Sequence, residues 1–172
     1  MYIDVNMCEK DYRDILTHLF PKRIRRERAC FIFASSTRLD TALHFNLSEW
    51  YAVKPNEYKF QSLGYVELKD EMRPKIIKKA FDLNASIIEV HSHPYNTPAM
   101  FSCSDFKGFK EFVPHVWWRL KGKPYGALVF SFSDFDGLAW IDSPQHCEPI
   151  TKLVVDENSL QANNLSLSGA NE

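Results

Sequence analysis

The sequence has no long apolar run, no excess of either charge and no closely spaced cysteine pair. No stretch approaches the roughly 18 consecutive apolar residues that read as a bilayer span, and the N-terminal MYIDVNMCEKDYRD has early acidic residues in place of the apolar region of an export signal. A cytoplasmic protein with no membrane partner is therefore expected. With 21 Lys and Arg against 22 Asp and Glu, the formal net charge is -1. Such a balance supplies no global field for nucleic acid or acidic membranes, so any polyanion binding must be local. Cys8, Cys30, Cys103 and Cys147 are scattered without a C-x-x-C. That spacing excludes a structural zinc knot and a disulfide framework and suits reduced thiols.

What is present suits one domain with a sizeable core. The chain has 172 residues, 45% of them hydrophobic, including 13 Phe, 7 Tyr and 4 Trp. Tyr12, Ile15, Leu16 and Leu19 recur at helical spacing before Pro21, and a first core strand is expected over Glu27 to Ala34. Residues 38 to 53 and 64 to 69 alternate as strands, and Ile76, Ile77, Ala80 and Phe81 share a helical face. Residues 85 to 93 form an apolar strand stopped by Pro94. A Phe-rich helix broken or bent at Pro114 follows, with Trp117 and Trp118 in the core or on a substrate groove. Two strands joined by a turn at Asp134 to Gly137 come next, then a last strand over Thr151 to Val155. Residues 158 to 172 have no aromatic or basic residue and are expected to be a disordered tail, leaving 1 to 157 as the domain. This order predicts an α/β or α+β domain built around one mixed sheet.

The chemistry concentrates in EVHSHPYNTPAMFSCSDF, residues 89 to 106. Residues i and i+2 of a strand face the same way, so His91 and His93 offer two imidazoles to one ion. Pro94 turns the chain, and the loop returns to a helix start at Ser102 to Asp105, where a carboxylate closes on the same ion. Two histidines, one carboxylate and an open position are the ligand logic of catalytic zinc.

Taken together, His91, His93, Pro94, Ser102 and Asp105 resemble the JAMM motif of the MPN-domain zinc metalloproteases, H-x-H-P-x7-S-x-x-D, with Tyr95 to Phe101 as the spacer. The resemblance covers roughly Arg26 to Asp142 in element order. It implies an MPN or cytidine-deaminase-like α/β fold, a curved mixed sheet flanked by helices. It implies one catalytic zinc ion held by His91, His93 and Asp105, with Ser102 supporting the oxyanion. It also implies a glutamate base on an early core strand, and the position that looks like it is Glu27, 64 residues before His91. Many members continue from this glutamate into a glycine-ended stretch, whereas this chain has ACFIFASS. Glu57, Glu67 and Glu71 are rivals by proximity. Glu89 shares the histidine face, where eukaryotic members often carry tryptophan, and has a supporting, substrate-facing or base role open to it.

The activity implied is a zinc isopeptidase or peptidase that hydrolyses the bond after the C-terminal tail of a ubiquitin-like modifier. Compact members occur in bacteria, some encoded with E1-like and E2-like proteins, which implies a ubiquitin-like pathway with a setting in antiviral defence. Two alternatives stay open: a metallo-amidase acting on a small peptide or sulfur-carrier precursor, and a non-catalytic MPN scaffold. The zinc deaminases of this fold class are excluded, because H-x-E and P-C-x-x-C are absent. Cys103 lacks a matching His or Asn for a cysteine hydrolase. His18, His44, His115 and His146 read as packing or surface residues. The KRIRRER run, residues 22 to 28, reads as a solvated approach to a strand or a contact for an acidic partner.

Overall fold

The computed structural model describes residues 1–23 and 25–168. Along the chain run β1 (Tyr2–Met7), α1 (Glu9–Leu19), β2 (Ala29–Arg38), β3 (Ala42–Ala52), β4 (Tyr58–Gln61), β5 (Val66–Leu68), α2 (Met72–Asp82), β6 (Ser86–Ser92) and α3 (Cys103–Arg119). They are followed by β7 (Tyr125–Phe130), β8 (Phe135–Trp140), β9 (Glu148–Pro149), β10 (Lys152–Val155) and β11 (Asn158–Gln161). Among the described residues no helix is long and apolar enough to cross a membrane.

Among the described residues the protein is a mixed α+β structure with a strongly curled mixed sheet and three α-helices. The nine strands of the main sheet are ordered β11-β10-β1-β3-β2-β6-β7-β8-β9, and β4 and β5 form a separate hairpin. β1 runs parallel to β3 and β10, β6 runs parallel to β7, and the remaining neighbours are antiparallel. The parallel β6–β7 pair requires a crossover, which α3 supplies.

Strand alternation sorts the core onto two faces. Phe31, Phe33, Ile87, Ala127 and Val129 pack with α2 and α3, whereas Cys30, Ile32, Ile88, Val90 and Leu128 pack with Ile15 and Leu19 of α1. β6 is covered on both sides and therefore reads as a continuous apolar run rather than as an alternation. Its odd-numbered residues face α2 and α3, and its even-numbered residues face α1. That parity puts Glu89 and His91 on one side of the sheet and Ser92 on the other.

Several expectations are corrected. The first strand is β1, where Ile3, Val5 and Met7 are buried between polar Asp4 and Asn6. The strand expected over Glu27 to Ala34 starts at Ala29 and continues to Arg38, which leaves Glu27 in the loop before it. α3 continues through Pro114. Burial of Phe109, Phe112, Val113 and Val116 on one face offsets the missing N–H, whose loss costs about 3 kcal/mol in a helix interior. The same periodicity turns Trp118 outward, at 71% exposure, so it is not a core residue. The turn between β7 and β8 is at residues 131–134, where Ser131 Oγ binds Asp134, not at Asp134 to Gly137.

The disordered tail expected over 158 to 172 is also corrected within the described residues. Residues 158–161 pair with β10 as the edge strand β11, and a short 3-10 turn follows over Leu165–Ser168. Backbone pairing and buried polar contacts hold this segment, so its lack of aromatic residues was a poor guide. Ser166 is 1% exposed and its N–H donates to Asp136 Oδ2 at 2.7 Å. Residues 169–172 lie outside the described residues.

Candidate metal centre

Three side chains from two elements converge at the C-terminal end of β6. His91 stands on β6 and His93 follows its end, with the His93 N–H donating to the Phe130 carbonyl at 2.8 Å. The Tyr95 ring stacks on His93 at 5.2 Å and the Phe101 ring packs on His91 at 5.7 Å, which fixes both imidazole planes. Asp105 arrives from the first turn of α3. Ser102 is the N-cap: its Oγ accepts the Asp105 N–H at 3.2 Å, and its N–H and Oγ–H both donate to Asp105 Oδ2 at 2.7 Å. Ser102 therefore orients the carboxylate it precedes.

The ligand-capable atoms of His91, His93 and Asp105 all lie within 4.8 Å of one another. The two Nε2 atoms are 3.2 Å apart, and Asp105 oxygens lie 3.5 Å from His91 Nε2 and 3.8 Å from His93 Nε2. Tetrahedral zinc with bonds near 2.0–2.1 Å places its ligands roughly 3.3 Å apart. This spacing, in a buried group of two imidazoles and a carboxylate, fits one metal ion.

Without a cation, the group's own electrostatics are asymmetric. Burial opposes charge on His91, but Asp105, Glu27 and Glu89 outweigh it and raise His91 to about 9. Burial and the neighbouring His91 charge lower His93 to about 4. One proton therefore sits between two nitrogens aimed at one point, with His91 as its holder. Burial works against an ionised Asp105 too, yet His91 and the Ser102 hydrogen bonds hold it below the usual carboxylate range. A cation replaces that proton and satisfies all three groups at once.

Glu27 is 3% exposed, and its Oε1 lies 3.6 Å from His93 Nε2. Burial raises its carboxyl to about 7, with Asp105 adding to the shift and His91 opposing it. The loop that carries it is pinned from three sides. Its N–H donates to the Ser62 carbonyl at 2.8 Å, and its carbonyl accepts from Gln61 Nε2 at 2.7 Å. The Ala29 N–H donates to Tyr58 Oη at 2.9 Å. On the far face of the sheet, Ser92 holds Arg28 and Leu19. Thus the hairpin β4–β5 and the middle residue of H-S-H position this carboxylate.

Among the described residues the other candidate glutamates make no ion pair with either histidine. Glu57 is engaged by Tyr51 and Lys75, Glu67 by Lys59, and Glu71 is exposed ahead of α2. Glu89 accepts a hydrogen bond from the Tyr125 hydroxyl, and burial raises its pKa against that bond. It lines a cleft of about 520 Å³ that ends at His91 and Asp105. Tyr65 to Asp70 form one wall of this cleft, and Ser104 to Phe112 form another. Cys103 is exposed beside Ser102, and His18 donates from Nε2 to the Ala29 carbonyl at 2.8 Å.

The spacer between the histidines and Ser102 has its own support, which sequence reasoning missed. The Ala99 N–H donates to Asp134 Oδ1 at 2.8 Å, and Asn163 Nδ2 donates to the Ala99 carbonyl at 2.7 Å. The Phe101 N–H donates to Ser166 Oγ at 2.9 Å. Asn163 and Ser166 belong to the segment expected to be tail. Their only signal was two small polar residues, which composition does not distinguish from a solvated end. No family model matches the chain, and no curated protein matches it in sequence.

Proposed function

We propose that this protein is a zinc-dependent isopeptidase or peptidase that hydrolyses the bond after the C-terminal tail of a ubiquitin-like protein. One observation carries the proposal: a buried carboxylate with a raised pKa, Glu27, sits 3.6 Å from a metal-capable His-His-Asp group at the end of a cleft. The sequence spacing supports it independently, through the resemblance to the JAMM motif, and so the MPN-type fold is part of the proposal.

His91, His93 and Asp105 would hold the ion. When bound, zinc supplies Lewis acidity and lowers the pKa of its water to about 7. Glu27 takes a proton from the water that attacks the scissile carbonyl and gives it to the departing amine as the C–N bond breaks. Burial raises its proton affinity in the metal-free site, and a bound cation would favour its carboxylate form, which is the form a base needs. Ser102 would support the oxyanion by turning its one hydroxyl proton from Asp105 Oδ2 toward it, while its N–H keeps hold of the carboxylate. Tyr95 and Phe101 hold the imidazole rings and exclude water behind them.

The cleft suits an extended tail. β5 pairs only with β4 among the described residues, and its residues line the cleft. An unpaired strand edge takes up an extended chain by main-chain hydrogen bonds. Amines on proteins conjugated to a ubiquitin-like modifier, with E1-like and E2-like proteins upstream, are the corresponding partners.

The test is metal content by mass spectrometry together with cleavage of a ubiquitin-like fusion and its lysine-linked conjugate. One zinc per chain is expected, and Glu27→Gln should lower kcat about 10²–10⁴-fold with zinc retained. Hydrolysis undiminished in Glu27→Gln would remove Glu27 as base. No bound zinc would favour a scaffold module.

A further inference from the structure

Four cations stand beside Glu27 without partners. Lys22, Arg23, Arg25 and Arg26 are exposed and, among the described residues, make no ion pair, hydrogen bond or ring contact. Many surface cations elsewhere are matched, as Lys10 is by Asp14, Arg38 by Asp142, Lys59 by Glu67 and Lys79 by Glu49. Unmatched like charges so close in sequence repel one another, and an acidic partner relieves that repulsion.

Their position gives the charges a direction. The loop leads into Glu27, whose backbone is bound to Gln61 and Ser62 at the tip of the β4–β5 hairpin. That hairpin also exposes Phe60, Leu63 and Tyr65. None of the four cations lines the cleft. In the cleft Glu67 is matched by Lys59 and Glu89 is buried against the Tyr125 hydroxyl, which leaves Asp70 and Glu111 beside Lys69 and Arg73. The surface is therefore basic on the loop before Glu27 and balanced along the cleft.

We infer that Lys22, Arg23, Arg25 and Arg26 form a docking surface for an acidic segment of a protein partner whose chain enters the adjoining cleft. A protein presents carboxylates to the loop and a different chemistry to the cleft. A nucleic acid presents phosphate to both, and neither the balanced cleft nor a chain of net charge -1 supplies the wider basic field that would hold it. Complementary charge orients the partner at encounter and raises the on-rate. That this partner is the substrate protein rests on the hydrolytic activity proposed above.

The docking test needs no turnover. A fluorescein-labelled Glu-Gly repeat peptide is titrated with the zinc-loaded protein and followed by anisotropy. Binding should weaken about tenfold between low and physiological ionic strength, and about tenfold or more in Arg25→Glu/Arg26→Glu. Lys121→Glu/Lys123→Glu is the control, because these lysines precede β7 and so lie at the end of the β6–β7 pair opposite to His91. It should stay within about twofold of the wild type. Equal affinity of the loop variant and the wild type, or no binding by the wild type at low salt, overturns the inference. Duplex DNA bound in preference to the peptide at physiological salt overturns it as well and assigns the loop to nucleic acid. On a ubiquitin-like conjugate that the protein cleaves, the loop variant should raise KM about tenfold and leave kcat unchanged. An unchanged KM there overturns the identity of partner and substrate. Absence of any cleavage counts against the hydrolytic proposal, while the anisotropy result still decides the docking.

Discussion

Ser92 Oγ accepts a hydrogen bond from the Arg28 N–H at 3.1 Å and donates one to the Leu19 carbonyl at 3.2 Å. The Ser92 N–H completes the link by donating to the Arg28 carbonyl at 3.0 Å. The residue between the two histidines thus holds the last turn of α1 and the loop that places Glu27. Ser92→Ala leaves a buried donor and acceptor unpaired, at about 1–3 kcal/mol of stability. It should lower kcat about tenfold with zinc content intact, and Ser92→Thr should recover most of the rate. Equal kcat in Ser92→Ala and wild type would show that Glu27 keeps its place without this link.

Zinc should stabilise the fold through Asp105. A saturating excess binds the folded chain and raises Tm by several degrees, by about 2.7 kcal/mol at a hundredfold excess over Kd. Asp105→Ala removes one of three ligands and should abolish most of that increment. Calorimetry with and without a chelator checks this, and an undiminished zinc-induced shift in Asp105→Ala would remove Asp105 from the ligand set.

The metal-free protein should lose stability as pH rises through the titration of Glu27. Its carboxyl is ordinarily near 4.5 and is raised by burial to about 7 when folded. Over that window the unfolded chain releases the proton first, so stability present below pH 4.5 is progressively lost up to about pH 7. The penalty is of order 1–3 kcal/mol. Glu27→Gln has no such titration. The stability difference between Glu27→Gln and the wild type should therefore grow in the variant's favour between pH 4.5 and 7 and level off above. Urea midpoints across this range measure it, and a flat difference would contradict a raised Glu27.

Removal of the chain after Glu157 should cost the site its metal, although no ligand is deleted. The truncation takes away Asn163 and Ser166, which hold the Ala99 carbonyl and the Phe101 N–H. Zinc affinity should fall at least tenfold. The single change Ser166→Ala, which keeps the edge strand, should reproduce part of this loss in a zinc titration. Unaltered affinity in both variants would make the spacer self-supporting.

The local chemistry was more legible in the sequence than the support around it. His91, His93 and Asp105 follow from strand parity and a helix start, both short-range rules that need no partner. The helices at Glu9–Leu19 and Met72–Asp82 follow from apolar periodicity for the same reason. Glu27 was placed one element too late, because a strand boundary is set by pairing, and β6 pairs with β2 from Ala29 onward. β1 and β11 went unread because each depends on distant neighbours: β1 lies between β3 and β10, and β11 pairs with β10. Ser92, Asn163 and Ser166 carry no local signal at all. A serine gripping two backbone groups is indistinguishable in sequence from one facing water.

The dependence of the spacer on Ser166 orders events in time. A ribosome releases the chain from its N-terminus, so both histidines and Asp105 emerge well before the residue that holds Phe101 in place. A nascent chain at that stage has every ligand and no fixed loop to present them. The proposed protease therefore completes its active centre only once Ser166 has emerged, 61 residues after its last ligand Asp105.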